Sequence, residues 1–488
     1  MFENCASPST AALLVERICA ASRSENQAAG QRLVAIGELD VLRLREVGER
    51  ETWSTDTQEA VTAEVAAALR VSQALAASYF YYSRAMRMRL PRVGALLVAG
   101  DISYSVFQTI VYRTDLITDP DVMAAVDAQL AVKARRWPSM TRGRLAAQVD
   151  QVVAGADRDA VRRRREQQAD REFSIWDSGN GLTEVFGRLI ATDAHAVDAR
   201  LDALAAMVCA DDPRTHKQRR ADAMGALAAG ADRLGCRCGR ADCRADATPV
   251  PPPVVIHVVA NKTSLDGTAQ TPGSMIGADA VIPAELVTEL ARSAKLRPLI
   301  HPADAPPEDA YAPSRALADF VRCRDLTCRF PGCDRPAVHC DLDHTIPYGD
   351  GGRTHASNLK CLCRLHHLVK TFWGWRDQQL PDGTVIWASP TGHTYVTTPG
   401  SALLFPSLCA PTGRLTTPEP RPARTDRCTD STIMMPQRRR TRAENRANYL
   451  ASERQHNRQT RDAERRQRRV SYFGPARPGD SGDEPPPF

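Results

Sequence analysis

The sequence lacks several features that would assign it to a common class of protein. It has no uncharged apolar run of about 18 residues, which excludes an ordinary transmembrane helix. Its first residues include Glu3 and Glu16 and no basic segment ahead of an apolar core, so they do not predict a secretory signal. Only 6% of the 488 residues are aromatic, whereas alanine is abundant. We therefore expect a cytoplasmic, mainly α protein with no membrane partner.

Cysteine is scarce, but its distribution is uneven. The chain has 14 cysteines, and most of them fall in two short segments. In a protein without an export signal, this pattern argues against a disulfide framework and predicts thiolate metal ligands.

Composition divides the chain into four regions. Apolar residues three and four apart predict helices through most of residues 10–300, which we interpret as a helical N-terminal domain. A proline-rich linker is expected at 301–314, and a cysteine/histidine module at 315–397. Residues 415–488 are rich in proline, threonine and arginine, so a disordered C-terminal tail is expected.

Two Cys/His pairs in the module predict a structural zinc site. Cys328 and Cys333 flank a predicted Pro331–Gly332 turn, and Cys363 and His366 follow after 29 intervening residues. Four nitrogen and sulfur ligands suit a closed tetrahedral Zn²⁺ site. Other thiols and a second imidazole lie close in sequence and leave the choice of ligands open: Cys323, Cys340, Cys361 and His367.

A second set of polar residues in this segment suits phosphodiester hydrolysis. VHCDLDHTIP and LKCLC read as two strands joined by a glycine-rich loop, and RLHHLVKTFW reads as a helix. This order can bring together a carboxylate, two imidazoles and an amide, from Asp343, His344, Asn358 and His367. One carboxylate and one imidazole can hold a divalent ion with open positions for a phosphate, and a neutral imidazole can accept a proton from water.

The ordered set of motifs resembles the HNH endonuclease family with its ββα-metal fold. The motifs are Cys-x4-Cys, Asp-His-x2-Pro, Gly-Gly, Asn-Leu and Leu-Cys-x2-His-His. The resemblance implies that His344 is the general base and that Asp343 and His367 hold a catalytic Mg²⁺ or Mn²⁺ ion. Asn358 would orient His344 or, as in some members, contact the metal. The zinc positions of the family match Cys328, Cys333, Cys363 and His366, the last standing where many members have a cysteine.

Two further features suggest contact with nucleic acid. Lys370, one helical turn beyond His367, either meets a phosphate or is an exposed helix lysine. Residues 438–469 hold twelve arginines, no lysine and four acids, a net charge of +8 against +6 for the whole chain. Such a segment either attracts a DNA backbone or only keeps the tail in solution.

The helical region has its own resemblance. The segments EVAAALRVSQALAASYFYYSRAMRMRLPRVGALLVAGDIS and DSGNGLTEVFGRLIATDAHAVDARLDAL resemble the actinobacterial domain of unknown function 222. That domain is commonly joined to a C-terminal HNH module in multicopy repeat families, and the resemblance implies no activity of its own.

A separate cysteine group is open to two interpretations. Cys236, Cys238 and Cys243 can bind a second metal ion if a fourth ligand comes from elsewhere, for example Cys209 or His257. Alternatively they form a reduced, partly exposed loop.

The sequence therefore favours a metal-dependent DNA endonuclease, a hydrolase acting on duplex DNA, with a structural zinc ion and a helical domain of unknown role. The alternative is a non-catalytic, zinc-stabilised DNA-binding or assembly protein. A third possibility is that RNA is the substrate.

Overall fold

A computed structural model gives the arrangement of most of the chain. It describes residues 10–137, 140–161, 172–177, 182–189, 191–240, 242–243, 257–276, 281–292, 294–413 and 434–473. The chain forms two units. The first, the helical unit, comprises residues 1–163, 368–375 and 424–488; the second, the mixed unit, comprises residues 164–367 and 376–423.

The helical unit is built mainly from helices in the first third of the chain. They are α1 (Thr10–Val47), α2 (Thr57–Leu69), α3 (Gln73–Met88), α4 (Pro91–Ala99), α5 (Tyr104–Arg113), α6 (Pro120–Ala134) and α7 (Arg142–Ala156). Short polar side chains cap the start of several of them, as at Asp56, Ser72, Ser103, Asp119 and Thr141. The main core is aliphatic, with Leu33, Leu97 and Ile110 fully buried. The predicted helical start of the chain is confirmed.

The C-terminal segment differs from the predicted disordered tail. Residues Arg442–Phe473 form a long helix, α14, and residues 434–473, here called the arginine arm, belong to the helical unit. A capping box starts the helix, because Thr441 and Glu444 each accept a hydrogen bond from the other's backbone N–H. Residues 414–433 and 474–488 of the predicted tail lie outside the described residues.

Ion pairs hold the arginine arm against acidic residues of the helical unit. Its arginines face Asp56, Asp115, Asp157 and Asp159, and the Asp56 and Asp115 side chains are buried. The paired arginines are Arg438, Arg442, Arg446, Arg454, Arg458 and Arg461. At least six of the twelve arginines in the basic segment thus neutralise acids of the protein itself. Their near four-residue spacing places them on one helix face.

The mixed unit alternates short strands and helices. Its elements are β1 (Glu172–Asp177), β2 (Thr183–Arg188), α8 (Ala191–Ala205), α9 (His216–Ala228), β3 (His257–Val259), α10 (Lys262–Leu265), β4 (Gly273–Ile276), β5 (Val281–Ile282), α11 (Ala284–Ala291), α12 (Arg315–Asp325), β6 (Cys340–His344), β7 (Leu359–Cys363), α13 (Arg364–Phe372), β8 (Arg376–Gln379), β9 (Val385–Ala388) and β10 (Thr394–Thr397). From Leu368 onward, α13 is assigned to the helical unit.

The second half of the region 10–300 contains strands as well as helices. Residues 172–188 form an antiparallel hairpin of β1 and β2, and β3, β4 and β5 form a small antiparallel sheet. Within the hairpin the β-branched and aromatic residues Phe173, Ile175 and Val185 favour strands. The alanine-rich composition of the flanking segments obscures this local preference.

The strand–loop–strand–helix order predicted for the cysteine/histidine module is confirmed. Strands β6 and β7 pair antiparallel, with Cys340 opposite Cys363 and His344 opposite Leu359, and α13 follows β7 directly. The strands β8, β9 and β10 form a second antiparallel sheet.

Among the described residues, no single helix has the length and apolar character needed to cross a membrane. One pair, α2 and α3, meets the criteria of length and composition when taken together, with a bend of 114° between them.

Candidate functional site

The four residues predicted to bind zinc come together in the mixed unit. One ligand atom from each of Cys328, Cys333, Cys363 and His366 lies within 4.8 Å of the other three. The His366 Nδ1 atom is 3.3 Å from Cys363 Sγ and 3.6 Å from Cys328 Sγ. Zn–S bonds of about 2.3 Å place tetrahedral sulfur ligands about 3.8 Å apart, so the cluster can hold a structural metal ion such as zinc.

Local structure explains why these side chains converge. Gly332, between the first two cysteines, has φ +76°, a left-handed conformation that favours glycine and turns the chain sharply. Cys363 ends β7, and His366 lies in the first turn of α13. The Phe330 ring stacks on the His366 imidazole at 4.0 Å and fixes its plane.

The thiols influence one another's protonation. Hydrogen bonding from Cys328 and Cys333 lowers the pKa of the Cys363 thiol well below its ordinary value. Cys340 lies outside the group, because its thiol donates to the backbone oxygen of Pro336. The arrangement therefore selects one of the ligand sets that the sequence left open.

The second predicted constellation is divided between β6, the loop just before β7, and α13. His344 ends β6, and its ring is largely buried, with 6% of the residue exposed. The Tyr311 ring stacks on it at 5.3 Å, and the Tyr348 ring meets it edge-on at 5.8 Å. Tyr311 belongs to the segment predicted as a linker, 301–314, which therefore forms one wall of this site.

A hydrogen-bond chain links Tyr311, Thr354 and His344. The Thr354 hydroxyl is within donating distance of the backbone oxygen of Tyr311, at 3.3 Å, and it has only one hydrogen. When that hydrogen is donated to Tyr311, the Thr354 oxygen, 3.0 Å from His344 Nε2, accepts a hydrogen bond from an Nε2–H group. In the neutral ring this leaves Nδ1 as the basic nitrogen.

A buried lysine of β7 lies between two carboxylates. Lys360 Nζ is 2.6 Å from Asp343 Oδ2 and 2.5 Å from Asp377 Oδ2. Burial alone lowers the pKa of Lys360, but attraction to these two carboxylates more than compensates and raises it above its ordinary value. The ion pair holds the Asp343 side chain in one orientation.

His367 connects two acidic side chains. Its Nδ1 atom is 2.9 Å from Asp341 Oδ2, and its Nε2 atom is 3.4 Å from Asp343 Oδ1. When Asp341 accepts a hydrogen bond from Nδ1–H, the neutral ring presents the Nε2 lone pair to Asp343. Two lone pairs facing each other at this distance repel, so the gap suits a cation or a proton.

Asn358 makes its side-chain hydrogen bonds to the loop between β6 and β7. Its side-chain oxygen accepts from Ile346 N–H at 2.8 Å, and its amide nitrogen donates to the backbone oxygens of Ile346 and Arg353. These bonds close the loop between β6 and β7 and so set the position of Thr354. Asn358 thereby acts on His344 through the loop.

Lys370 is a buried lysine, and its predicted phosphate contact stays a prediction. Only 7% of the residue is exposed, and it lies in the part of α13 that belongs to the helical unit. The expectation that it is an exposed helix lysine is wrong, because the residue is buried.

Several residues of the site escaped the sequence analysis. They are Tyr311, Asp341, Thr354, Lys360 and Asp377. Lys360 and Asp343 are direct cross-strand partners, so the register of the hairpin would have revealed this pair.

Comparison with known proteins places the chain in a family. Residues 20–325 match the model of the domain of unknown function DUF222, and the chain belongs to that family. The match ends just before Cys328, the first zinc-site cysteine.

The similarity to relatives extends further along the chain. The chain is 44% identical to the uncharacterized protein Rv3776 of Mycobacterium tuberculosis over 472 residues, and this alignment covers 91% of the chain and 90% of that protein. It is 42% identical to the uncharacterized protein Rv2100 of the same organism over 483 residues, covering 90% of this chain and 87% of that protein. No solved structure matches the chain.

Proposed function

We propose that the protein is an HNH-type endonuclease that hydrolyses phosphodiester bonds of DNA. The observation that carries the proposal is the Thr354–His344 hydrogen bond, in which an Nε2–H donor leaves Nδ1 of the neutral ring as the basic nitrogen of the residue that follows Asp343 in the sequence. The motif order from Cys328 to His367 supports it independently. In this proposal His344 Nδ1 accepts the proton of the water that attacks phosphorus.

Asp343 and His367 fit a divalent ion in this reaction. Asp343 Oδ1 and His367 Nε2 are 3.4 Å apart, less than twice the bond length of about 2.1 Å expected for Mg²⁺, so both can ligate one ion. Asp341 and Lys360 orient the two ligands from outside. A bound Mg²⁺ or Mn²⁺ ion would neutralise charge on the phosphate and the leaving oxygen.

A plasmid-nicking assay on the full chain tests the proposal. We expect supercoiled DNA to be nicked or linearised with Mg²⁺ or Mn²⁺, and not after chelation. Restoring activity with Mg²⁺ alone, while the zinc content is measured, separates the catalytic ion from the structural one. A labelled RNA of the same sequence tests the other substrate. Protein that binds its full zinc complement and cuts neither substrate with either ion would contradict the proposal.

One observation favours the alternative of a non-catalytic DNA-binding or assembly protein. The Tyr311 ring covers one face of the His344 ring, which is itself largely buried. The Tyr311 ring must therefore move before water reaches the base, and it can do so because 63% of Tyr311 is exposed. A protein that retains the scaffold without turnover would bind DNA equally well with and without Mg²⁺.

Thr354 provides a test of the base assignment that leaves His344 in place. We expect Thr354→Val to lower kcat on the order of 10-fold to 100-fold, the range for partners that orient a functional histidine. Valine preserves the shape but cannot fix the tautomer, so KM should stay within a few-fold and the pH–rate profile should change.

The matched control is Thr354→Ser, which keeps the hydroxyl and should cut at near the wild-type rate. Equal activity of the valine and serine variants would mean that Thr354 does not position the base.

The exposed arginines of the arm test the contact with DNA. Arg439, Arg440, Arg465 and Arg466 are exposed and make no ion pair with the described residues. If they neutralise phosphates, replacing all four by alanine should flatten the slope of log K against log salt by up to about 3.6, since each contact contributes about 0.9. DNA affinity at several salt concentrations is the measurement.

The paired arginines of the arm supply the control. Arg446→Ala and Arg454→Ala remove partners of Asp115 and Asp157, so they should lower the unfolding temperature and leave the salt slope nearly unchanged. If only the paired set changes the slope, the arm contacts DNA through Arg446 and Arg454 and not through its exposed arginines. If neither set changes the slope, the arm does not contact DNA.

A further inference from the structure

Four cysteines outside the zinc site described above also converge in the mixed unit. Cys209 follows α8, and Cys236, Cys238 and Cys243 follow α9. One sulfur from each lies within 4.8 Å of the other three, and all four residues are half-buried. The fourth ligand that the sequence could not assign is thus present, and it comes from a separate segment of the chain.

We propose that these four thiolates bind a second structural zinc ion. The Cys209 and Cys236 sulfurs are 3.4 Å apart, close to the separation of about 3.8 Å for two tetrahedral thiolates on Zn²⁺. A disulfide requires about 2.05 Å. Four thiolates with no open position make the site a closed structural one rather than a catalytic one. The inference is independent of the proposed nuclease activity.

Hydrogen bonds hold the backbone around the cluster in place. The Asp212 carboxylate, three residues beyond Cys209, accepts a hydrogen bond from Arg237 N–H at 2.9 Å. The Arg214 guanidinium donates to Asp212 at 2.7 Å and to the backbone oxygen of Gly235 at 2.7 Å. These bonds join the loop that carries Cys209 to the loop that carries Cys236 and Cys238. The cluster therefore rests on a built scaffold and not on the chance approach of one cysteine pair.

A glycine follows the third cysteine of the cluster. Gly239, directly after Cys238, has φ +72°, a left-handed conformation that favours glycine. Arg237 and Arg240 lie between the ligands in sequence. Each also pairs with carboxylates, Arg237 with Glu289 and Arg240 with Asp211 and Asp242.

The core around the cluster is small, so a bound metal ion would add to the stability of this part of the fold. Among the described residues, the core shared by α8 and α9 is small: its buried residues are Leu201, Leu204, Ala223 and Leu234, with six partly buried apolar residues packed against them. So small a cluster stabilises a fold weakly, whereas zinc binding contributes folding free energy directly. Arg237 also pairs with Glu289 of α11 at 2.9 Å, which links the loop to the neighbouring helix. The second zinc ion would therefore fasten α8, α9 and α11 together.

Metal analysis of the purified full chain tests the proposal. We expect two zinc ions per chain in the wild type and one in each of Cys209→Ser, Cys238→Ser and Cys328→Ser. The double variant Cys209→Ser/Cys328→Ser should hold none. Cys19→Ser, which removes an exposed cysteine of α1, is the matched control and should keep two. One zinc ion in the wild type, lost only on substitution of Cys328, would overturn the proposal.

A spectroscopic measurement covers the case in which a cysteine variant fails to fold. Cobalt(II) replaces zinc in tetrahedral sites, and its visible absorption distinguishes four thiolates from three thiolates and one imidazole. The Cys328→Ser protein should retain the four-thiolate spectrum, and Cys209→His should shift that spectrum toward the mixed type. Metal-free protein whose mass shows a native disulfide between Cys209 and Cys236 would contradict the proposal.

Discussion

Replacing His344 with alanine is expected to reduce DNA cleavage on the order of 10²-fold to 10⁴-fold, the contribution of a positioned general base. DNA affinity should stay within a few-fold, because the base acts on water and not on the duplex. The rate at each pH provides a second readout, since the rise of activity with pH that a base produces should disappear. Single-turnover cleavage and equilibrium binding measure the two effects separately.

Burial of His344 requires a check on folding. Removing a ring that stacks on Tyr311 leaves a cavity, so His344→Asn, which fills more of the space, should accompany the alanine variant. Both should retain zinc and a cooperative unfolding transition. His393→Ala, at an exposed histidine of the same unit, is the matched control and should cut normally. Cleavage at the wild-type rate by the folded His344 variants would remove His344 from the role of base.

The candidate site was predictable where local spacing determines it. Cys328 and Cys333 flank one tight turn, and Cys363 and His366 are separated by less than one helical turn, so sequence distance alone brings each pair together. The strands and helix between them followed from period-two and period-3.6 patterns. Local spacing does not predict the residues that orient these groups.

Those partners depend on register and on distant segments. Lys360 lies opposite Asp343 only because β6 and β7 pair in one particular register, and the glycine-rich loop between them does not reveal it. Tyr311 reaches His344 from a segment that composition alone marks as a linker. Likewise, nothing in the spacing of Lys370 shows that tertiary packing buries it.

In the arginine arm, local signals for a helix conflict with a composition that is typical of disorder. The capping-box residues Thr441 and Glu444 and the arginines at near four-residue intervals were present in the sequence and predict a helix with one charged face. Low hydrophobicity outweighed these signals in the prediction of disorder. The arm is ordered because buried acids, including Asp56 and Asp115, need cations beside them.

The zinc site is expected to control the stability of the cysteine/histidine module. Cys328→Ser and Cys363→Ser should release the ion from this site and unfold residues 315–397, because structural zinc contributes about 10–16 kcal/mol in small zinc-binding domains. Limited proteolysis should then cut within that segment, which resists cleavage in the wild type. Metal analysis and proteolysis of the same samples are the measurements.

His366 allows a sharper test of the ligand set, because the structure places its Nδ1 atom beside two thiols. His366→Ala should lose the ion, whereas His366→Cys offers a sulfur ligand from the same helical turn and should keep it. Cys409→Ser, in the same unit but outside both cysteine clusters, should behave like the wild type. If His366→Ala keeps its zinc and its protease resistance, the fourth ligand is another group, and the nearby thiols of Cys340 and Cys361 become the residues to replace next. If no variant of the four changes the zinc content, the ion is bound elsewhere and the module folds without it.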